Sequence, residues 1–202
     1  MAHFSEACER NKDPILNILR NVLRDNKLVL EIGSGTAQHA VYFADNLPQI
    51  QWQPSDVHGN IPVIRDNLRK YRPVNIKDPV DLDVCNYPWP VGRVDAIFSA
   101  NTLHIMSWDE VVKFFKGIGE VLDEDGLLCI YGPFRYHNAY TSESNAHFDK
   151  YLKMRDANSS IRDFEAVDEL ARQQDLILAQ DNTMPANNQL IIWKRGINHG
   201  HE

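Results

Sequence analysis

Basic residues are in short supply in this sequence: 21 Lys and Arg stand against 28 Asp and Glu, a formal net charge of −7 over 202 residues. That balance gives no positive field to gather a phosphate backbone, which disfavours nucleic acid as the main partner. Cysteine is scarce too. Cys8, Cys85 and Cys129 are odd in number and widely spaced, which fits neither a disulfide framework nor a Cys-x-x-Cys zinc site and suits a reducing cytoplasm. No apolar run reaches the length of a membrane span, and no secretory signal pattern opens the chain, so no membrane partner is expected. The histidines are scattered, without paired carboxylates, and predict no metal site. What is present is an ordinary globular composition, 43% hydrophobic and 24% charged, in a length that suits one domain with a substantial core.

Residues 1–12 are polar and carry little structural signal. Asp13-Pro14 reads as a helix start, Asp as N-cap and Pro in the first turn, followed by an apolar stripe from Ile15 to Leu23. A buried strand at 27–32 runs through Gly33-Ser34-Gly35 into a helix from Ala37 to Leu47. A second strand is expected at 50–56, a helix from Asn60 stopped by Pro73, and a weak third strand at 77–83, interrupted by Pro79. Residues 94–100 read as a fourth strand. Ser107 and Glu110 form a capping box for the next helix, and Asp123 to Gly126 turn the chain into strand 127–131. Residues 132–162 lack periodicity and read as an irregular insertion on the substrate side, with a short helix near 144–155. Asp163 caps a further helix, and strands at 176–182 and 189–194 close the fold without a helix between them. The expected architecture is α/β: a doubly wound, mostly parallel seven-stranded sheet with an antiparallel C-terminal strand. It would occupy residues 1–195 as one domain, with 196–202 as a disordered tail.

Three constellations carry chemistry. Glu31-Ile32-Gly33-Ser34-Gly35 joins a strand to a helix, where glycines let the backbone approach a ligand. A dinucleotide enzyme would show Gly-x-Gly-x-x-Gly/Ala, but Gln38 stands at the last position, which weakens the NAD reading. The acid two residues before the first glycine instead resembles motif I of class I S-adenosylmethionine-dependent methyltransferases. That resemblance implies that Glu31 orients the methionine moiety while Gly33, Ser34 and Gly35 pass beneath the cofactor. Asp56 ends the second strand about 20 residues later, the spacing at which an acid meets ribose hydroxyls. Asp83, after the third strand, is a candidate partner of the adenine amino group. Asn101 and His104, in Ser99-Ala100-Asn101-Thr102-Leu103-His104, follow the fourth strand at the ligand-facing sheet end; His104 is either a general base or a packing histidine.

Glu9 to Leu16, Ser99 to Trp108, Tyr131 to Phe134, Thr141 to Asn145 and Met184 to Asn188 together resemble the methyltransferase-like 26 family, over residues 5–195 or nearly so. The resemblance implies a Rossmann-like class I methyltransferase fold and S-adenosyl-L-methionine as cofactor, and it names no acceptor. In that fold the leading helix often closes over the cofactor, which makes Arg10 and Asn11 candidates for the methionine carboxylate. Residues 133–149 should overhang the site, with Arg135, Tyr136, Tyr140, Asn145 and Asp149 towards an acceptor. Tyr140, Asp149 and His104 are then the candidate bases. A small-molecule acceptor is expected, and the alternative is a non-catalytic scaffold or sensor that binds the cofactor.

Overall fold

The computed structural model describes residues 4–71 and 74–196. Pro73, expected to stop a helix, and residues 197–202 of the expected tail lie outside the described residues; Gly196, at the head of that tail, bonds through its N–H to Asp175 O at 2.8 Å.

Helix α1 (Glu6–Val22) begins a full two turns earlier than the Asp13-Pro14 signal suggests. Ser5 caps it by accepting from Cys8 N–H, Glu6 and Glu9 complement the positive end of the helix, and Pro14 lies inside. The hydrogen bond forfeited at Pro14 is offset by burial of Ile15, Leu16 and Leu19 against the sheet. Then come β1 (Leu28–Ile32), α2 (Gln38–Asn46), β2 (Gln51–Asp56), a 3₁₀ turn at His58–Asn60 and α3 (Ile61–Tyr71). The weak third strand shrinks to β3 (Val80–Asp81), as Pro79 requires.

The fourth strand expected at 94–100 is met residue for residue by β4 (Val94–Ala100), and α4 (Trp108–Val121) carries the reciprocal Ser107–Glu110 capping box. Pairing along β5 (Leu122–Gly132) puts Leu122 opposite Val94 and Leu127 opposite Ala96, so Asp123–Gly126 loops out between them. Asp125 takes φ 61° in that bulge.

The segment expected to be irregular has structure of its own: β6 (Phe134–Tyr136), β7 (Ala139–Tyr140), α5 (Glu143–Arg155) and β8 (Arg162–Asp163). The three strands form a small second sheet, with β6 between β7 and β8. His137 and Asn138, both at positive φ, make the tight turn between β6 and β7. Helix α6 (Phe164–Arg172) starts at Asp163, but the Asp163 side chain makes no capping bond and pairs with Arg135 at 2.5 Å. The chain ends with β9 (Leu176–Met184), a turn at Pro185–Asn187 and β10 (Asn188–Arg195).

The main sheet has the order β3-β2-β1-β4-β5-β10-β9. Its one antiparallel insertion is β10, between β5 and β9, so the reversed strand is second from the edge. Leu30, Ile97, Phe115 and Trp193 belong to the core on one face, with residues of α4 and α6; Val29, Phe98, Cys129 and Ile192 face α1, α2 and α3 on the other. The strand order turns back between β1 and β4, and the carboxyl ends of these two strands open a crevice there.

Candidate functional site

The crevice is a cavity of about 650 Å³ floored by the Gly33–Gly35 turn. Gly33 (φ 77°) and Gly35 (φ 55°) differ in what surrounds them. A Cβ on Gly33 would collide with Thr102 Cγ2, whereas nothing stands within 4 Å of one on Gly35, which faces the open cavity. The N–H groups of Gly33 and Ser34 both donate to Ser55 O at 3.0 Å, and Gly35 N–H donates to Asp56 Oδ2 at 2.7 Å. Asp56 Oδ1 accepts from Val57 N–H at 2.8 Å and from Asn60 Nδ2 at 2.9 Å. Of the roughly four lone-pair sites of a carboxylate, one on Oδ2 is thus left for a ligand.

Asp83 lies across the cavity, beside Leu82 and Val84. It accepts from Cys85 N–H at 2.8 Å and Asn86 Nδ2 at 3.3 Å. Glu31 stands behind the turn, only 2% exposed, accepting from Trp52 Nε1 at 2.9 Å. Burial pushes its carboxyl up to about 7, with the Asp56 charge adding to the rise and hydrogen bonds from Trp52 and Ser34 opposing it. The cavity lining holds Asp56, Asp83 and Glu110 and neither Lys nor Arg.

Asn101 and His104 face the same cavity from the loop after β4. Asn101 sits at φ 58°. A Cβ on Gly132 would stand 3.7 Å from His104 Nδ1 and 3.9 Å from Asn101 Oδ1, ordinary contact distances, so both groups border the Gly132 backbone. Burial, reinforced by the Arg162 charge, pulls His104 down to about 4 and keeps it neutral. Its ring meets Phe148 edge-on, with centroids 5.4 Å apart.

Four consecutive carbonyls of the loop are held by the insertion. Leu103 O and Met106 O accept from Arg162, His104 O from Ser160 N–H at 3.0 Å, and Ile105 O from Ser159 Oγ at 3.0 Å. This clamp was not foreseen from the sequence. Neither was His39, in the first turn of α2, buried, stacked on Phe43 and held at about 4 by desolvation.

The expected site does not assemble as a whole. Gly33, Ser34, Gly35, Asp56, Asp83, Asn101 and His104 share the first cavity. Tyr140 and Asp149 do not: Tyr140 Oη donates to Asp149 Oδ2 at 2.7 Å, outside both cavities of the crevice. Asp149, 1% exposed, also accepts from Lys153 at 2.6 Å, Ser160 Oγ at 2.9 Å and Ile161 N–H at 2.6 Å. Burial alone would raise this carboxyl, but the four donors outweigh it and hold it at about 2. With every lone pair engaged, Asp149 is an anchor for the clamp and a poor base. Tyr136 donates to Asp181 and Arg135 pairs with Asp163, so neither lines these two cavities.

Arg10 and Asn11 line a second cavity of about 590 Å³ instead of the first. Ala7, Asn101 and Phe148 belong to both. Asn145, expected beside an acceptor, lines the second. Among the described residues no group of three or more His, Cys, Asp or Glu is placed to hold a metal ion, and no helix is long and apolar enough to cross a membrane.

A family model described as "Protein of unknown function (DUF938)" matches residues 2–195. Among solved structures, an O-methyltransferase family protein from Burkholderia thailandensis is similar with a TM-score of 0.83 at 14% identity, over 96% of this chain and 58% of that protein. Human N-acetylserotonin methyltransferase, in complex with SAM, gives 0.79 at 15% identity, over 95% of this chain and 53% of its own. PigF with SAH gives 0.79 at 17% identity, over 93% and 56%. The chain thus spans a little over half the length of these proteins. They share its fold, the Rossmann-like class I methyltransferase architecture.

Proposed function

The chain belongs to the family described as Protein of unknown function (DUF938), and from that premise and the geometry of the crevice we propose that it is an S-adenosylmethionine-dependent methyltransferase acting on a small molecule. The observation that carries the reading is the chemistry of the first cavity. Its glycine turn presents an open face at Gly35, yet the N–H groups that would cradle a pyrophosphate are already bonded to Ser55 and Asp56. Its lining is acidic without a cation, which suits a ligand bearing sulfonium and ammonium charges. The volume lies in the ordinary range for cofactor sites, roughly 300–1,000 Å³.

In this reading Asp56 holds a ribose hydroxyl through its remaining lone pair, Asp83 accepts from the adenine amino group, and Glu31, behind the turn and outside the cavity lining, becomes the counter-charge of the ammonium by giving up its proton when the cation binds. When bound, S-adenosylmethionine would supply an electrophilic methyl group on a sulfonium, whose thioether leaving group needs no proton. The chain's own contribution is alignment. The clamp from Arg162, Ser159 and Ser160 fixes residues 103–106 of the loop that carries His104. His104, neutral and buried, takes the proton if the acceptor atom carries one.

The resemblance to the methyltransferase-like 26 family belongs to the same reading. So do a single catalytic domain over residues 1–195, with 132–162 on its substrate side, and a cytoplasmic location, where Cys8, Cys85 and Cys129 stay unpaired. Isothermal titration tests the core of it: S-adenosylmethionine and S-adenosylhomocysteine bind and NAD does not. NAD binding without S-adenosyl binding would overturn it.

A further inference from the structure

Four sequence segments have no part in the glycine-turn cavity's floor: those around Arg10, Tyr131, Asn145 and Pro185. They lie far apart in the chain, and the fold brings all four to the wall of the second cavity. We infer that this second cavity is the acceptor site and that it selects a small organic acid, whose carboxylate meets Arg10 and Tyr131 and whose nucleophilic atom turns towards Asn101. The inference rests on the methyltransferase reading and deepens it.

Charge is the first ground. The chain is acidic overall, and the charged residues that line the first cavity are all acids. The second reverses this: Arg10 is the one charged residue in its lining, and no carboxylate accompanies it there. Arg10 is largely exposed, with only a 3.4 Å contact to Glu6, one turn away on the outer surface of α1, so its guanidinium is free to turn to a ligand.

Tyr131 is the second ground. It ends β5 and is 4% exposed. Burial raises its phenol, and the neighbouring Asn11 and Asn188 side chains oppose the rise. The orientation of Asn11 follows from His39, whose Nε2 lies 2.6 Å from Asn11 Oδ1. A neutral His39 donating there makes Oδ1 the acceptor and leaves the Asn11 NH₂ to Tyr131. The Tyr131 hydroxyl, which lines the cavity, can turn its proton to an anion there. Asn145 complements this: both its amide hydrogens go to Thr141 Oγ1 at 2.9 Å and Asn187 O at 2.8 Å, which leaves Oδ1 to accept from a ligand hydroxyl or amine.

The third ground is continuity. Asn101 borders both cavities, and its side-chain amide has no partner among the described residues. An acid seated between Arg10 and Tyr131 thereby lies on the far side of one shared wall, Ala7, Asn101 and Phe148, from the cavity where a methyl donor would lie.

The test uses the full chain saturated with S-adenosylhomocysteine and ligand-observed NMR. The probes are hydroxybenzoic, hydroxyphenylacetic and α-hydroxy acids, each paired with its primary amide. The expected result is binding by acids and not by their amides, weakened about tenfold by Arg10→Gln and by Tyr131→Phe, with S-adenosylhomocysteine affinity unchanged in both. Arg10 is on the surface, so its variant keeps the fold. Equal binding of acids and amides, binding of neither, or a preference that survives both substitutions sinks the inference. So does loss of S-adenosylhomocysteine affinity in Arg10→Gln, which returns the guanidinium to the cofactor. If S-adenosylhomocysteine fails to bind wild type, the methyltransferase reading falls, and the acid–amide comparison on the ligand-free chain still decides the selectivity of the second cavity.

Discussion

Asp56 Oδ2 holds the N–H of Gly35 at 2.7 Å, so the end of β2 and the floor of the first cavity are one hydrogen-bonded unit. The same carboxylate carries Val57 N–H and Asn60 Nδ2. Replacing it therefore acts on shape as well as on ligand contact. Asp56→Ala is expected to lower stability by about 2 kcal/mol and S-adenosylhomocysteine affinity by tenfold or more. Urea denaturation and calorimetry on the same preparation read the two effects; intact affinity would remove Asp56 from the site.

The two glycines of the turn predict different failures. Gly33→Ala must hold φ 77° and push aside Thr102, whose hydroxyl is itself bonded to Ser99. The expected loss is about 3 kcal/mol, from left-handed strain plus a packing clash. Gly35→Ala has open space and should lose only about 1 kcal/mol. Its methyl group enters the cavity, so ligand affinity falls further than stability does. Thermal melts and titrations of the pair separate the two positions.

Stability against pH has a sign that can be worked out. His39 and His104 stay neutral in the fold down to about 4, while in the unfolded chain they gain protons near 6.5. The unfolded state binds more protons in that window, so each costs the fold about 3 kcal/mol as pH falls from 6.5 to 4. Glu31 stays protonated up to about 7 in the fold and ionises near 4.5 when unfolded. It therefore costs about 3 kcal/mol as pH rises from 4.5 to 7. With two histidines against one carboxyl, stability should rise with pH across this range. Glu31→Gln, which keeps an acceptor for Trp52, removes the opposing slope and should steepen the rise. Denaturation at pH 5 and pH 7 for both proteins measures it, and parallel slopes would contradict the assignment.

Asp149→Asn separates anchoring from catalysis. An amide cannot accept from all four donors now on the carboxylate, and Lys153 loses its counter-charge. A loss of about 3 kcal/mol is expected, with S-adenosylhomocysteine affinity retained. A variant as stable as wild type but inactive would restore Asp149 to the chemistry.

Where one pattern decided the outcome, the sequence sufficed. Val94–Ala100 is an apolar run in the middle of the sheet, and Ser107 with Glu110 is a local cap; both stand where expected. That Gly33, Gly35, Asp56 and Asp83 meet in one cavity was legible because a strand end followed by a turn fixes a direction, and parallel strands point their ends the same way. The start of α1 was missed because Pro14 reads as a stronger signal than the Ser5 cap that governs it. The small sheet of β6, β7 and β8 was missed because strands of two or three residues have no period to show. Tyr140 and Asp149 stand outside the two cavities, and nothing local reveals that Ser160, Ile161 and Lys153 converge on the Asp149 carboxylate. Arg10, expected beside the methionine carboxylate, lines the second cavity and not the first, a distinction that depends on how α1 and α5 pack and on no pattern within either.

Ala7, Asn101 and Phe148 are walls of both cavities at once. Anything that shifts one of these side chains on filling one side alters the vacancy on the other. The two occupants are then thermodynamically linked: whatever factor the first contributes to the affinity of the second, the second returns to the first, whichever arrives earlier. Measuring either ligand's affinity with and without the other would yield a single coupling constant, and Phe148, which reaches across both spaces and touches the His104 ring, is the side chain whose truncation should bring that constant towards one.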